Sequence, residues 1–317
     1  MELTPRQSQI RDELLGLGGE RPTFDPGLAG QLRARLEADL DSLELREKLV
    51  VGKHAIQAVL DCEGRYRSSL YEPFAWNVQT VRGKVAHRAI ERIVIRADRA
   101  DPLGTTDAVV RHFVDTADDE PGGPGDFLRS ATTPEVDEIL RDASDAVTKF
   151  AMDWPPISRR WIPRVESVTS HSLCGGMIEL RGRVDLALGM PEGNEARVFV
   201  VDLKTGREHA AHINDVRFYA LVETLARGVP PFRVASYYLD AGMFRAEDVT
   251  TEILEVACRR TVDAVHLIHE IQAGREPKLT PNPSCSWCGA RPDCEPGTAW
   301  LADRAARRES GDLGDLP

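Results

Sequence analysis

The sequence predicts an α/β protein in which one mixed central β-sheet is flanked by helices. Three observations lead to this fold class. Residues before about 155 carry apolar side chains at helical spacing, three strand-like apolar runs follow between residues 161 and 204, and a helix, a fourth strand and a long amphipathic helix come next. Strands and helices in this order are typical of a single mixed sheet with helices packed on it.

The predicted helices occupy the start of the chain, the region before the strands and two segments between and after them. Those before the strands are LAGQLRARLEADL within residues 1–48, HAIQAVLDCEGRYRSSLY from His54, WNVQTVRGKVAHRAIERIVI from Trp76, and ATTPEVDEILRDASDAVTKFAMDW. Thr133 is the expected N-cap of the last of these, with Pro134 in its first turn. The two later helices are HINDVRFYALVETLARG, which Gly228 is expected to end, and DVTTEILEVACRRTVDAVHLIHEIQAG.

Four strands are predicted from apolar, β-branched and aromatic runs. They are WIPRVESVTS, MIELRGRVDLALG, ARVFVVDLK and FRVASYYLDAG. The short stretch MPEGNE between the second and the third suits a hairpin connection.

The chain is expected to divide into an N-terminal helical region at 1–52, a main domain at 53–300 and a charged tail at 301–317. An acidic insertion at about 98–155 interrupts the main domain. Its segment TADDEPGGPGDF is rich in glycine, proline and acid, so we expect a mobile surface excursion there rather than core.

Composition places the protein among ordinary globular chains, with 42% hydrophobic and 29% charged residues. No apolar run reaches the roughly 18 residues of a membrane helix, and the N-terminus lacks the pattern of a secretory signal, so a cytoplasmic location without membrane contact is expected. The net charge of −11 argues weakly against a nucleic-acid partner. The acidity is partly that of the insertion, however, because Arg46 to Arg96 hold ten basic against five acidic residues.

The run RVFVVDLKTG ends in two opposite charges, Asp202 and Lys204, which share one strand face. If Gly189 pairs with Val198 in the hairpin, Asp185 lies opposite Asp202. The other face would then hold the core side chains, which are Leu180, Val184, Leu186 and Leu188 from one strand and Phe199, Val201 and Leu203 from the next.

Two opposed carboxylates repel one another unless a cation lies between them. A hard cation such as Mg²⁺ prefers oxygen ligands, and it can activate water and stabilise negative charge on a phosphate. Lys204 is placed to orient the water or neutralise the phosphate. The spacing therefore indicates hydrolysis of a phosphodiester.

These residues resemble the PD-(D/E)XK nuclease superfamily, in particular its RecB-like branch. The motif "G-x-x-D" corresponds to Gly182 and Asp185, and "D-x-K-T/S-G" to Asp202, Lys204 and Gly206. The upstream motif "G-x-x-x-H" corresponds to Gly83 and His87 in RGKVAHRAIE. The resemblance implies a restriction-endonuclease-like core and a site for Mg²⁺ or Mn²⁺. Its implied ligands are His87, Asp185, Asp202 and the backbone carbonyl of Leu203.

The branch also has a "Q-x-x-x-Y" motif on the helix that follows. Tyr219 matches it and is an expected catalytic residue beside Asp185, Asp202 and Lys204, whereas Asp215 stands where glutamine is usual. That departure leaves the DNA-contacting role of position 215 open. Arg181 and Arg183 share the predicted face of Asp185 and are candidate DNA contacts, although solvated strand arginines would look the same.

Cys285, Cys288 and Cys294 lie within ten residues in the spacing C-x2-C-x5-C, which indicates a metal site. Cys62 is the candidate fourth ligand, because Cys174 and Cys258 are expected to be buried structural thiols. One cysteine far in sequence from the other three fits zinc less well than two pairs of cysteines would. Spacing alone does not separate zinc from an iron–sulfur cluster.

Some RecB-like nucleases resemble this pattern, with one cysteine before the nuclease core and three after it. AddB-type nucleases and CRISPR-associated exonucleases with RecB-like cores are examples, and they hold a 4Fe–4S cluster. The resemblance, which runs from about Lys53 to Gly297, implies a structural 4Fe–4S cluster on Cys62, Cys285, Cys288 and Cys294, with zinc as the alternative.

The resemblance implies a metal-dependent deoxyribonuclease, with exonuclease action on single-stranded DNA or DNA ends in repair, recombination or defence. A helicase or another repair or defence protein is a candidate partner. Two alternatives come from other classes: a non-catalytic iron–sulfur subunit that binds DNA for such a partner, and a zinc-stabilised regulatory module. The retained Asp, Asp, Lys and His set argues against the first, since a pure binder has no need of opposed carboxylates.

Overall fold

A mixed β-sheet forms the middle layer of the protein in this computed structural model, which describes residues 2–15, 21–72, 74–96 and 101–309. Its strands are β1 (Leu49–Val51), β2 (Arg164–Leu173), β3 (Ile178–Leu188), β4 (Phe199–Lys204), β5 (Arg233–Tyr238) and β6 (Met243–Asp248). Strand β3 pairs antiparallel with β2 and β4 and parallel with β1, while β5 is parallel to β4 and antiparallel to β6. The predicted fold class is confirmed.

The described helices are α1 (Pro5–Leu15), α2 (Leu28–Leu40), α3 (Lys53–Asp61), α4 (Glu63–Ser69), α5 (Val78–Arg96), α6 (Pro102–Asp115), α7 (Pro124–Ser130), α8 (Thr133–Asp153), α9 (His212–Arg227), α10 (Thr251–Gln272) and α11 (Glu295–Glu309). The predicted helices and the four predicted strands are present in the predicted order, whereas α6, α7, α11, β1 and β6 were not predicted. The helix predicted from His54 is two helices, because the backbone of Cys62 is extended, with φ −162° and ψ 114°. None of the described helices combines the length and the apolar character needed to cross a membrane.

Helices cover both faces of the sheet, and each face has its own apolar core. On one face, α2, α3, α9 and α10 pack over residues such as Leu180, Val184 and Val200. On the other, α1, α5, α6 and α8 pack over residues such as Leu186 and Phe199. A sheet that is buried on both faces explains why the run in β4 is almost continuously apolar.

The predicted hairpin register is confirmed, since Leu186 pairs with Val201 and Leu188 with Phe199. The predicted single core face is wrong. All seven of its side chains are buried, but Leu180 and Val184 contact the core on one face, whereas the other five contact the core on the opposite face. Alternation along β3 is therefore broken between Val184 and Leu186, at Asp185.

The acidic insertion differs from the prediction of a mobile excursion outside the core. Between Thr116 and Phe127, the chain buries Ala117, Pro124 and Gly125, and Leu128 follows them into the core that α5 and α8 share. Gly125 packs closely, because a Cβ there would come 2.2 Å from the carbonyl oxygen of Phe113. Composition alone predicted exposure, but the helices on either side bring this turn against the core.

Two predictions about helix ends hold to within a residue, and a third differs. Helix α8 is capped by Thr132 rather than Thr133, and Glu135 completes a capping box. Gly228 ends α9 with φ 81°, as predicted. The start of the predicted charged tail is part of α11, which continues to Glu309, and residues 310–317 lie outside the described residues.

Candidate functional site

An opening in the pairing of β3 positions the candidate site. Strand β2 runs along one edge of β3, from Ile178 to Ala187, so β1 and β4 share the other edge. There β1 pairs with residues 178–180 and β4 with residues 186–188. Among the described residues, therefore, no strand pairs with residues 181–185 on that edge, and this interval contains the G-x-x-D motif.

Three potential metal ligands from different elements meet beside this opening. They are His87 from α5, Glu166 from β2 and Asp185 from β3, and one ligand atom of each lies within 4.8 Å of the others. The Nδ1 atom of His87 is 3.4 Å from Oδ1 of Asp185 and 4.0 Å from Oε1 of Glu166. Imidazole nitrogen and carboxylate oxygens are ligands that suit a divalent cation.

Glu166 is absent from the sequence prediction. Its backbone φ of 46° lies in the left-handed region, and the β2–β3 pairing omits Glu166 and Asp185 while it continues on both sides. This local turn of the backbone directs Glu166 toward His87 rather than along the regular alternation of β2. Arg183 approaches Glu166 at 3.7 Å.

Asp202 lies in a separate group with two lysines. Its Oδ1 atom accepts a hydrogen bond of 2.7 Å from Nζ of Lys53, and Nζ of Lys204 is 2.7 Å from its Oδ2 atom. The Asp202 side chain is only 1% exposed. Its Oδ2 makes no hydrogen bond of good geometry among the described residues, despite the close ammonium group. A buried carboxylate oxygen of this kind retains capacity for a further ligand.

The two groups are joined through the backbone of β4. The Oδ2 atom of Asp185 accepts a 2.7 Å hydrogen bond from the amide of Leu203, one residue after Asp202. Asp185 thus faces His87 with one oxygen and the D-x-K strand with the other. The predicted set of His87, Asp185 and Asp202 is brought into one region, but Glu166 rather than Asp202 shares the tightest group.

The remaining predicted residues contact this region to different degrees. Asp215 is 13% exposed and accepts a 2.6 Å hydrogen bond from Lys204, so its carboxylate faces the motif lysine rather than open solvent. The ring of Tyr219 is buried, and Nζ of Lys53 lies 4.8 Å from its centroid. Arg181 and Arg183 are more than half exposed and make ion pairs with Glu179 and Glu166, respectively.

Charges at the site shift several pKa values. Burial alone would raise the pKa of Asp202, but Lys53 and Lys204 outweigh burial and hold it well below its usual range. Burial lowers the pKa of Lys53, but the neighbouring carboxylates raise it by more. The net increase keeps this ammonium charged. Burial also lowers the pKa of His87, but the neighbouring carboxylates, chiefly Asp185, raise it by more, so the net shift is upward.

Glu166 shifts in the direction opposite to Asp202. Burial and the charge of Asp185 raise its pKa, and Lys84, His87 and Arg183 only partly offset them. Two carboxylates and one imidazole with few counter-charges are unfavourable together. A divalent cation between them would remove this cost.

All four predicted cysteine ligands line one cavity of about 570 Å³, although Cys62 is more than 220 residues from the other three in sequence. Cys62 lies between α3 and α4, and the other three follow α10. Sγ of Cys285 and of Cys294 would lie 3.4 and 3.2 Å from a Cβ placed on Gly297. Burial raises the pKa of Cys288, and the nearby Cys62 and Cys285 raise it further.

The backbone also contributes to this cavity. The amide of Thr280 donates to Sγ of Cys62, and that of Asn282 donates to Sγ of Cys285, both at 3.4 Å. Amide donors to cysteine sulfur are among the features that tune iron–sulfur clusters. Of the two cysteines outside the cavity, Cys258 is buried as predicted, whereas Cys174 is only partly buried.

Comparison with known proteins identifies a family. Residues 54–295 match the model of the PD-(D/E)XK nuclease superfamily. This range includes His87, both motif aspartates and all four cavity cysteines. None of the curated proteins matches the sequence.

Two solved structures are similar to this chain at low identity. A candidate exonuclease from Eubacterium rectale is 12% identical, with a TM-score of 0.47, over 78% of this chain and 88% of that one. The protein SSO0001 is 14% identical, with a TM-score of 0.35, over 84% of this chain and 94% of that one.

Proposed function

Because this chain belongs to the PD-(D/E)XK nuclease superfamily, we propose that it is a metal-dependent DNA nuclease of the RecB-like branch. Exonuclease action on single-stranded DNA or DNA ends is the activity that we propose, in repair, recombination or defence. The observation that carries the proposal is the meeting of His87, Glu166 and Asp185 beside the D-x-K strand.

These donors fit a hard divalent cation. His87, Glu166 and Asp185 would hold Mg²⁺ or Mn²⁺, with Asp202 and the carbonyl of Leu203 as ligands on the side of β4. When bound, such a cation polarises a phosphate oxygen and lowers the pKa of a coordinated water. The two carboxylates lie on strands and the imidazole lies in the middle of a helix. These ligands therefore need no large movement of the backbone to bind the cation.

Lys204 is the residue that we propose to act on the attacking water. Its ammonium is held between Asp202 and Asp215, at 2.7 and 2.6 Å. Two carboxylate partners fix Nζ at the strand end and keep it charged, which burial alone would oppose. A fixed cation can orient a water and stabilise negative charge that develops on the phosphate. We propose that Asp215 positions Lys204, a role different from the possible DNA contact that the sequence left open for this position.

Tyr219, Arg181 and Arg183 take different proposed roles. The Tyr219 ring packs under Lys53 and is buried, so its contribution is to shape the site. Arg181 and Arg183 lie on the strand face of Asp185 and are exposed enough to meet phosphates of a bound strand. Most protein contacts to DNA are of this backbone kind, and they carry affinity rather than sequence preference.

We further propose that Cys62, Cys285, Cys288 and Cys294 hold a 4Fe–4S cluster with a structural role. Their shared cavity and the amide donors to two of the sulfurs support a cluster. Tetrahedral zinc, with Zn–S bonds of about 2.3 Å, would place its four sulfurs roughly 3.8 Å from one another. Both zinc and a 4Fe–4S cluster can take four cysteine ligands, so metal analysis separates the two.

End-labelled DNA tests the nuclease proposal. The anaerobically purified protein is incubated with single-stranded or double-stranded DNA and either Mg²⁺ or Mn²⁺. We expect metal-dependent shortening from an end, abolished by Lys204→Ala and unchanged by Lys48→Ala, a half-exposed lysine paired with Glu179. A protein that binds Mn²⁺ but cleaves no DNA would contradict catalysis and leave the non-catalytic binding subunit as the better reading.

Metal analysis of the same preparation tests the cluster. We expect about four iron and four sulfide per chain, with broad visible absorption that is lost in Cys288→Ser and kept in Cys258→Ser. One zinc per chain without visible absorption would support the zinc-stabilised module instead.

A further inference from the structure

Lys53 is a second lysine in the site, and neither the D-x-K motif nor the histidine motif contains it. It donates a 2.7 Å hydrogen bond to Oδ1 of Asp202, across 149 residues of sequence. Its side chain is 15% exposed, and that of Asp202 is 1% exposed. Removing one member of a buried ion pair is more costly than removing one member of a surface pair, because water cannot replace the lost partner.

The two lysines divide the oxygens of Asp202 between them. Lys204 lies at Oδ2 and has Asp215 as an additional carboxylate partner, whereas Lys53 lies at Oδ1 and has the face of Tyr219. If Lys204 moves toward a substrate phosphate, Asp202 keeps one ammonium. That remaining contact fixes the orientation of the carboxylate while the motif lysine acts.

The backbone of Lys53 is fixed at the opening beside β3. Strand β1 ends at Val51, Gly52 follows, and Lys53 is the first residue of α3. Gly52 passes close to the sheet, because a Cβ there would lie 3.2 Å from the carbonyl oxygen of Arg181. At its other end, α3 is held by Asn282, which donates a 3.2 Å hydrogen bond to the carbonyl of Asp61.

We propose that Lys53 is a positioning residue that holds Asp202 in the orientation needed for metal binding and phosphodiester cleavage, at the expense of metal affinity. This inference rests on the proposed nuclease function. Lys53 therefore lowers metal affinity while it supports the cleavage rate. A positive charge beside Asp202 repels a divalent cation, whereas the hydrogen bond that it donates orders the carboxylate on which the reaction depends.

The test compares Lys53→Met with wild type in two measurements. Mn²⁺ affinity is followed by electron paramagnetic resonance in the absence of DNA, and the rate constant at saturating metal is followed on end-labelled DNA. Methionine keeps a long apolar stem and removes the charge. We expect Mn²⁺ to bind roughly tenfold more tightly and kcat to fall about 10- to 100-fold.

Two further variants separate charge from structure. Lys53→Arg restores a cation, so Mn²⁺ affinity should return to within about threefold of the wild type. Lys48→Met removes a half-exposed lysine directly before β1 and should change neither the Mn²⁺ affinity nor kcat. Urea unfolding of each variant establishes that the chain is folded under the assay conditions.

The outcomes distinguish this inference from the proposed function. Weaker Mn²⁺ binding together with lower kcat in Lys53→Met would indicate a purely structural role and overturn the inference, as would Lys53→Arg behaving like Lys53→Met. Unchanged affinity and rate would also overturn it. Wild-type protein that binds no Mn²⁺, or binds it and cleaves no DNA, would instead contradict the nuclease proposal itself.

Discussion

Gly182→Ala should damage the site through a single methyl group. A Cβ at position 182 would lie 2.9 Å from Cδ1 and 3.1 Å from Cε1 of the Tyr219 ring. Both distances are shorter than ordinary carbon–carbon contact, which begins near 3.5 Å. The ring is 2% exposed, and Lys53 lies over it, so it has little room to withdraw.

The expected change in the free energy of unfolding of Gly182→Ala follows from two opposing contributions. Overpacking of a filled core costs about 1–3 kcal/mol. Replacing glycine in the interior of a strand returns about 0.5–1 kcal/mol through the unfolded chain. We therefore expect Gly182→Ala to lower the free energy of unfolding by about 1–2 kcal/mol. Because the displaced ring supports Lys53, nuclease activity should fall as well.

Urea unfolding of a double-mutant cycle tests this reasoning. In a Tyr219→Leu background the methyl group has space, so Gly182→Ala should become neutral or stabilising, with a coupling free energy of at least about 1 kcal/mol. Gly30→Ala is the matched control, since its Cβ would meet nothing within 4 Å and helix α2 should gain up to about 1 kcal/mol. An equal cost of Gly182→Ala in both backgrounds would refute the steric explanation.

Three further predictions concern side chains around the two sites. Asp215→Asn should lower the cleavage rate about 10- to 100-fold with stability little changed, because Lys204 loses one of two carboxylate partners; a normal rate on end-labelled DNA would contradict this. Glu166→Gln should weaken Mn²⁺ binding, measured by electron paramagnetic resonance, at least about tenfold, and unchanged affinity would remove this residue from the ligand set. Burial tends to raise the pKa of Glu63, but Arg275 and a backbone amide lower it overall. Its stabilising effect is therefore full above the unfolded pKa and is lost as the pH falls through the lower folded pKa. Glu63→Gln should accordingly unfold about 1–2 kcal/mol more easily at pH 7, and thermal unfolding should show this gap closing below about pH 4.

The hairpin is the part of the site that local sequence predicts well. Period-two alternation and a short connection fix the pairing of Leu186 with Val201, and a slip by one residue would turn every side chain over. The prediction of one core face nevertheless fails, because alternation along β3 breaks at Asp185 and turns Leu186 and Leu188 to the opposite face. Those side chains stay buried there because helices also cover that face, and local sequence shows neither the break nor the second layer.

Glu166 and Lys53 escaped prediction for different physical reasons. Glu166 has a left-handed backbone, so the regular alternation of β2 misplaces its side chain. Lys53 meets Asp202 only through tertiary packing, and nothing near it in the sequence marks a site. The prediction for the acidic turn near Gly125 was wrong in the opposite sense, because it expected an exposed segment where the structure has a buried one. Glycine permits close packing as readily as flexibility.

The cavity of four cysteines has a consequence for the order of synthesis. Cys62 leaves the ribosome roughly 230 residues before Cys294, an interval of about 10–50 s at 5–20 residues per second. From the addition of Lys204, about 90 residues before Cys294, the nascent chain holds the first thiol and the complete D-x-K hairpin, but not the segment that closes the cavity. Helix α3 acquires its contact with Asn282 only after that residue has been added. A nascent chain that stops short of Asn282 therefore holds the D-x-K hairpin without the hydrogen bond at the far end of α3, and residues 282–294 supply both that contact and the three later cysteines of the cavity.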